Sequence, residues 1–361
     1  MSVEMPEQII SIEKVLNSRC SSDINGGCKG RHWGIFKDVP PPQDTIKQII
    51  RCCSVPQYSN GKLEIWFADR HAFFGFEEQR ETSRTRLLQI ESGMQHEAVY
   101  LACAALGVGT CIRNQGLDGT RYGKKIATAS HVIMEMRDAY KTGKFTTEPP
   151  GPEKPFVKGR NLSEPTRDGE MECLPELERL KTFSKSGRSA MEKDVSQLLW
   201  ATKGRTPHYV GKHPWGLTIP TWGHGQEYTD VYIVKGGKLF QYLNWTGHFP
   251  LNKPLKRMLR YVKWVIYRDT QFYITGNPTH DTRLLGNADV LPQLEGANFG
   301  IVLSRNEETG RALWEVGYML ENMFLQARSL GVSYKSKILQ PSETARFAEV
   351  RIPDAVAAFL L

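Results

Sequence analysis

The sequence predicts an α+β fold made of two tandem units that face each other as a pseudo-dimer within one chain. Three observations lead there. The helical stretch ESGMQHEAVYLACAALGV (91–108) returns 224 positions later, ending at Val332, with seven identities in eighteen: Glu91/Glu315, Gly93/Gly317, Glu97/Glu321, Leu101/Leu325, Leu106/Leu330, Gly107/Gly331 and Val108/Val332. About one match is expected by chance at ordinary residue frequencies. The elements flanking each copy recur in the same order, and a proline-rich stretch separates them.

The first unit spans 1–140. DTIKQIIRCC (44–53) reads as a helix, SVPQYSNG (54–61) as a loop and KLEIWFA (62–68) as a strand; ATASHVIMEM (127–136) closes the unit after the long helix. Residues 141–187 carry Pro149, Pro150, Pro152, Pro155, Pro165 and Pro175 amid mixed charge, the composition of a linker. The second unit, 188–361, repeats the order. It has a helix KDVSQLLWAT (193–202), a loop to about Tyr228, and strands TDVYIV (229–234) and KLFQYL (238–243). An added strand ANFGIVLS (297–304) precedes its long helix, and ARFAEVRI (345–352) reads as its closing strand.

Within the repeat, Gly93, Glu97, Tyr100 and Ala104 share one helical stripe at about 100° per residue. A glycine inside a helix costs about 1 kcal/mol against alanine, tolerable where another backbone or a flat ligand must come close. Its recurrence at Gly317 predicts that the two long helices pack on each other across a pseudo-twofold axis.

Seven cysteines, none beyond Cys173 and no CxxC pair, predict free thiols in a reducing cytoplasm rather than a disulfide framework or zinc site. No apolar run reaches membrane-spanning length, and the acidic start is unlike a signal peptide. The net charge of +8 suggests affinity for anions without naming one. PLKRMLRYVKWVIYRD (254–269) reads as an amphipathic element with a solvated basic face. No recognised nucleic-acid motif accompanies these charges, which argues against that class of partner. The motifs GxxxxGK[ST], GxGxxG, HExxH and GxSxG are absent.

The repeated helix resembles the central helix of the nitroreductase superfamily of FMN-dependent flavoproteins, approximately G-x-x-x-Q-N-x-x-L-A-A-x-x-L-G-L-G. Glutamate stands for the glutamine in both copies, and only the second keeps the asparagine, as Asn322. VSQLLWATKGRT (195–206) is similar to a segment of the peptide-azoline dehydrogenase branch. The resemblance implies two nitroreductase-like units with FMN at their interface, a fused version of the family's homodimer. It implies phosphate anchors at Arg19 and Ser21 in the first unit, with Asp23 departing from the pattern, and at Arg188 and Ser189 in the second. Lys335 and Lys337 resemble the basic residues that close on that phosphate; they equally suit a helix C-terminus. Loops implied to lie along the flavin ring offer Pro56, Ser59 and Asn60, and Pro220, Thr221, Gly223, His224 and Gly225.

The implied function is an FMN-dependent oxidoreductase that passes hydride through flavin N5. Its substrate would be a small molecule or peptide, reduced at the expense of NAD(P)H or dehydrogenated. Glu97, Glu321 and His224 are the acid–base candidates. The alternative is a degenerate flavin fold serving as a non-catalytic binding or partner subunit. One or two FMN per chain are both open.

Overall fold

The computed structural model describes residues 10–19, 39–59, 63–68, 71–75, 82–113, 129–135, 155–207, 216–220, 227–246, 276–288, 296–306 and 308–361. The chain is α+β. Its helices are α1 (Ile12–Asn17), α2 (Gln43–Cys52), α3 (Thr82–Ala105), α4 (Cys173–Arg179), α5 (Glu192–Lys203), α6 (Gly310–Ser329) and α7 (Pro341–Glu349). The first sheet holds β1 (Glu64–Ala68), β2 (His71–Gly75), β3 (Val108–Arg113) and β4 (Ala129–Glu135) in the order β1-β2-β4-β3.

The second sheet has the order β10-β9-β8-β11-β13-β12-β5. Its strands are β5 (Ser184–Lys185), β8 (Thr229–Lys235), β9 (Lys238–Trp245), β10 (Pro278–Asn287), β11 (Phe299–Arg305), β12 (Tyr334–Ile338) and β13 (Ala355–Leu360). A separate two-residue ladder joins β6 (Arg205–Thr206) to β7 (Gly216–Leu217).

Within the second sheet, β8-β11-β13-β12 repeats the order of the first. In each, the strands before and after the long helix (β2 and β3; β11 and β12) flank a later strand (β4; β13), and every pairing is antiparallel. The added strand read at 297–304 therefore has a counterpart, β2, which sequence periodicity over HAFFG did not reveal. The predicted strand at 345–352 is instead mostly α7. Pro341 opens that helix, Glu343 accepts the Gln340 N–H at 2.9 Å, and Phe347 is buried; the strand follows as AVAAFL.

The long helices α3 and α6 make the central packing of the molecule. A Cβ on Gly93 would lie inside 3.0 Å of the Trp314 backbone, and one on Gly317 inside 3.0 Å of Ile90 O, Met94 N and the Gly93 Cα. Only backbones without side chains can approach so closely, which accounts for a helix-breaking residue in both copies. Both helices then end alike: Gly107 and Gly331 each take φ of 64°, the left-handed turn that terminates a helix. The predicted helix boundaries at 108 and 332 thus overshoot, and β3 begins at Val108 itself.

One large apolar cluster among the described residues takes in both long helices, with Met94, Leu101 and Ala102 of α3 beside Met323, Phe324 and Leu325 of α6. A second cluster under α7 covers the other face of the second sheet, through Tyr232, Val302, Phe347 and Ile352.

The stretch read as a linker, 141–187, is more than a connector where it is described. Helix α4 buries Cys173 and Leu177 in the core, and its Glu176 accepts from Arg328 of α6 at 2.6 Å. Strand β5 extends the second sheet beyond β12. The segment before α4 is pinned by Gln197, whose amide exchanges hydrogen bonds with the Thr166 backbone at 2.8 and 2.9 Å. Proline here limits chain freedom rather than marking a bare tether. The division at 140 and 187 remains a sequence expectation.

The crossing yields a graded expectation. Gly317→Ala or Gly93→Ala must force the helices apart and should cost at least the roughly 1–3 kcal/mol of core overpacking. Gly331→Ala, whose Cβ meets open space, pays only the left-handed backbone penalty of about 1–2 kcal/mol. Denaturant unfolding of the three variants measures that order.

Candidate functional site

The crossing brings the loop-to-strand junctions of both units beside the long helices, and each is gripped by an equivalent acid. Glu91, buried on α3, accepts the backbone N–H of Tyr58 at 2.5 Å and of Ser59 at 2.6 Å, and the Ser59 hydroxyl at 2.7 Å. Glu315 on α6 accepts the Tyr228 N–H at 2.9 Å and the Thr229 hydroxyl. This is why a glutamate recurs on a face that should be apolar: it satisfies peptide donors at the junction where loop meets strand. The signal was in the identity pair Glu91/Glu315, which sequence reasoning matched but gave no role.

Glu315 carries a second duty. Lys203 at the end of α5 lies 3.1 Å from it and 3.0 Å from Glu227, while Arg205 lies 2.7 Å from Glu227. Burial alone would lower the Lys203 pKa, but Glu227 and Glu315 overcome this and raise it. Arg205 also sits over the Trp245 ring at 5.2 Å. This buried network anchors both ends of the segment that contains 221–226.

The sequence-predicted acids lie one turn beyond the crossing glycines, both buried. Arg19 reaches Glu97 at 3.4 Å and lies over Tyr100 at 4.4 Å, while its carbonyl accepts from Thr206 of the other unit. Burial pushes Glu97 up to about 7, against the downward pull of Arg19. Asn322 donates to the carbonyls of Ala201 at 3.2 Å and Thr218 at 3.1 Å, tying α6 to α5 and to the turn after β7. Glu321 has no partner on either oxygen, and burial, then Glu97, raise its pKa well above the ordinary carboxylate value.

On the other side of the seam, the Tyr58 hydroxyl of the first unit donates to Ser336 at 2.8 Å, between Lys335 and Lys337 on β12. Phe183 stacks on the Tyr58 ring at 4.9 Å. Arg188 forms a two-pronged pair with Asp194 at 2.6 and 2.8 Å and donates to the Ser189 carbonyl at 3.1 Å. Lys337 lies 2.9 Å from Glu343, and Lys335 is on the exposed face of β12. Ser21, Asn60, Thr221, Gly223 and His224, like the basic stretch 254–269, lie outside the described residues.

Tested against the flavin that the resemblance implies, the two sides differ. On the Arg19 side the anchor is spent: its guanidinium is buried against Glu97, so these residues do not fit a phosphate. On the Tyr58 side the basic groups are near but not converged, because Lys335 and Lys337 point to the face of β12 opposite Ser336. Lys335, Lys337 and the half-exposed Arg188 belong to one unit, the clamped Tyr58–Ser59 junction belongs to the other, and the buried oxygens of Glu321 lack partners. The structure therefore sets the Tyr58–Ser59 junction against Ser336 on one side of the seam, with Lys335 and Lys337 on the opposite face of β12, and Arg19, Glu97 and Asn322 on the other side.

Two buried histidines are removed from acid–base duty. Burial draws His96 down to about 3 and His280 to about 4, and His280 is fastened between Ser196 at 3.0 Å and Tyr242 at 2.8 Å. The five described cysteines are buried and in no disulfide, and no metal-binding group occurs among the described residues. No described helix is long and apolar enough to cross a membrane. A cavity of about 170 Å³ lined by Leu239, Gly286 and Arg351 lies at the β9–β10 end of the second sheet, and no sequence-predicted site residue lines it.

No family model matches the chain, and no curated protein does. Several solved structures are similar to it, and three of them are each described as a candidate nitroreductase. That of Ralstonia eutropha JMP134 is 19% identical over 55% of this chain and 86% of its own, with a TM-score of 0.35. That of Thermotoga maritima MSB8 is 11% identical over 100% and 97%, with a TM-score of 0.43. That of Anabaena variabilis ATCC 29413 is 11% identical over 80% and 68%, with a TM-score of 0.48. At these scores the likeness carries no weight by itself.

The two grips predict unequal responses. Lys203→Met strips the cation from Glu227 and Glu315 and should cost about 3–5 kcal/mol, the usual effect of breaking a buried pair. Glu91 is held by peptide and hydroxyl donors, and Glu91→Gln keeps an acceptor, so its cost should be about 1–3 kcal/mol. Urea unfolding of both variants decides the order.

Proposed function

We propose that this chain is a single-chain, nitroreductase-like oxidoreductase that holds one FMN, on the Tyr58 side of the seam. The observation that supports it is the pairing of repeats: the same strand order on each side of a glycine crossing, with a junction of one unit delivered to β12 of the other. Duplication of an ancestral unit accounts for the seven identities and for the matching Glu91 and Glu315 contacts.

Bound there, the flavin would supply hydride transfer; the chain supplies the rest. Lys335, Lys337 and Arg188 would hold the phosphate from the edge of β12, each by giving up present contacts, Glu343 for Lys337 and Asp194 for Arg188 among them. Glu91 fixes the backbone of Tyr58 and Ser59, so the wall offered to a flat ring does not have to be ordered on binding. The apolar cluster shared by the long helices excludes water from the inner wall. The substrate class is a small molecule or a peptide, with NAD(P)H as donor where the reaction is a reduction.

A second reading has its own support: Arg19, Arg188 and Lys337 each face an acid, as expected of a flavin fold kept as a binding or partner subunit. Absorbance separates the two. The purified chain, or the chain titrated with FMN, should show a flavin band at one equivalent, and Lys335→Ala with Lys337→Ala should weaken uptake at least tenfold. A colourless protein that binds no FMN returns the assignment to the second reading.

A further inference from the structure

Glu97 and Glu321 occupy equivalent places in the repeat, and their surroundings differ. Glu97 has the Arg19 guanidinium, whereas neither oxygen of Glu321 has a hydrogen-bond partner. A carboxylate taken out of water without a counter-ion does not stay charged; it takes a proton instead. The groups whose charges act with Glu321 are Glu97 on α3, Cys52 and Cys53 on α2, Cys173 on α4, Tyr58, Tyr334 and Lys181. Burial keeps the thiols and phenols neutral, Glu97 is a like charge, and the Lys181 ammonium is turned to the Ser54 carbonyl at 3.2 Å. Nothing in that set replaces the arginine.

Resting on the seam reading above, we propose that the two carboxyls have divided their roles: Glu97, held by Arg19, is the one that ionises, and Glu321 is a proton store. Its hydrogen is available to an acceptor atom of a ligand bound on the Tyr58 side. The step moves one proton and no electrons. The Glu321 O–H bond breaks, a bond to hydrogen forms at the acceptor, and the carboxylate regains its proton from a solvent hydronium ion.

Infrared spectroscopy of the full chain without ligand tests this, through the carbonyl stretch of a protonated carboxylic acid and its shift in D2O. Recorded above the pH range in which Glu97 titrates, the band should be present in the wild type and in Glu97→Gln, and absent in Glu321→Gln. Arg19→Met should move the titration of Glu97 upward and leave the Glu321 band alone. The thermal midpoint should hold or rise in Glu321→Gln and fall in Glu97→Gln, where Arg19 is left buried without its acid. A wild type lacking the band, a band that survives Glu321→Gln, or a Glu321→Gln variant that unfolds as readily as Glu97→Gln overturns the proposal. A band that behaves as expected in a protein that takes up no flavin would sink the functional reading and leave the proton store standing.

Discussion

The close crossing of α3 and α6 is the constraint on which the molecule depends. Two helices meeting backbone to backbone need glycine at the contact, and the contact lies at the centre of one core built from both units. The candidate site residues are arranged outward from it. One turn along each helix stands a buried acid, and two residues before each glycine stands another that grips a junction. The same 224-residue shift relates both pairs. A polar residue on an apolar stripe is costly unless it has partners, and three of these four acids have them.

Much of this was legible in the sequence because it is written in helices. Gly93, Gly317 and the terminating Gly107 and Gly331 are exceptions to helical propensity, and exceptions at fixed spacing survive as signals. The short strands were less visible. HAFFG has five residues, too few to display alternation; YKSKI places tyrosine and serine inward and two lysines outward, which reads as polar throughout. At 345–352 a run with inward-looking apolar residues suits either periodicity, and the acid at Glu343 that settles it as a helix lies outside that run.

The candidate site was legible residue by residue but not in its assignment. Arg19 fits a phosphate-anchor pattern, and nothing local shows that its side chain turns inward to an acid 78 positions later. The same holds for Arg188, whose partner Asp194 reads as an ordinary first-turn acid of α5. Sequence motifs specify which groups are present; the competition between a ligand and an internal counter-ion is decided by tertiary placement.

The described part of the connector has a consequence for assembly. A protein built of two similar units on a long tether invites exchange, one molecule's first unit docking on another's second. From residue 155 on, the connector is built into the fold: α4 lies under both long helices, and β5 is laid along β12, the outermost strand but for itself. Stripping β5 away would uncover the Tyr334–Lys335 end of β12, so the residues that carry the connector out of the core also cover that stretch of strand edge.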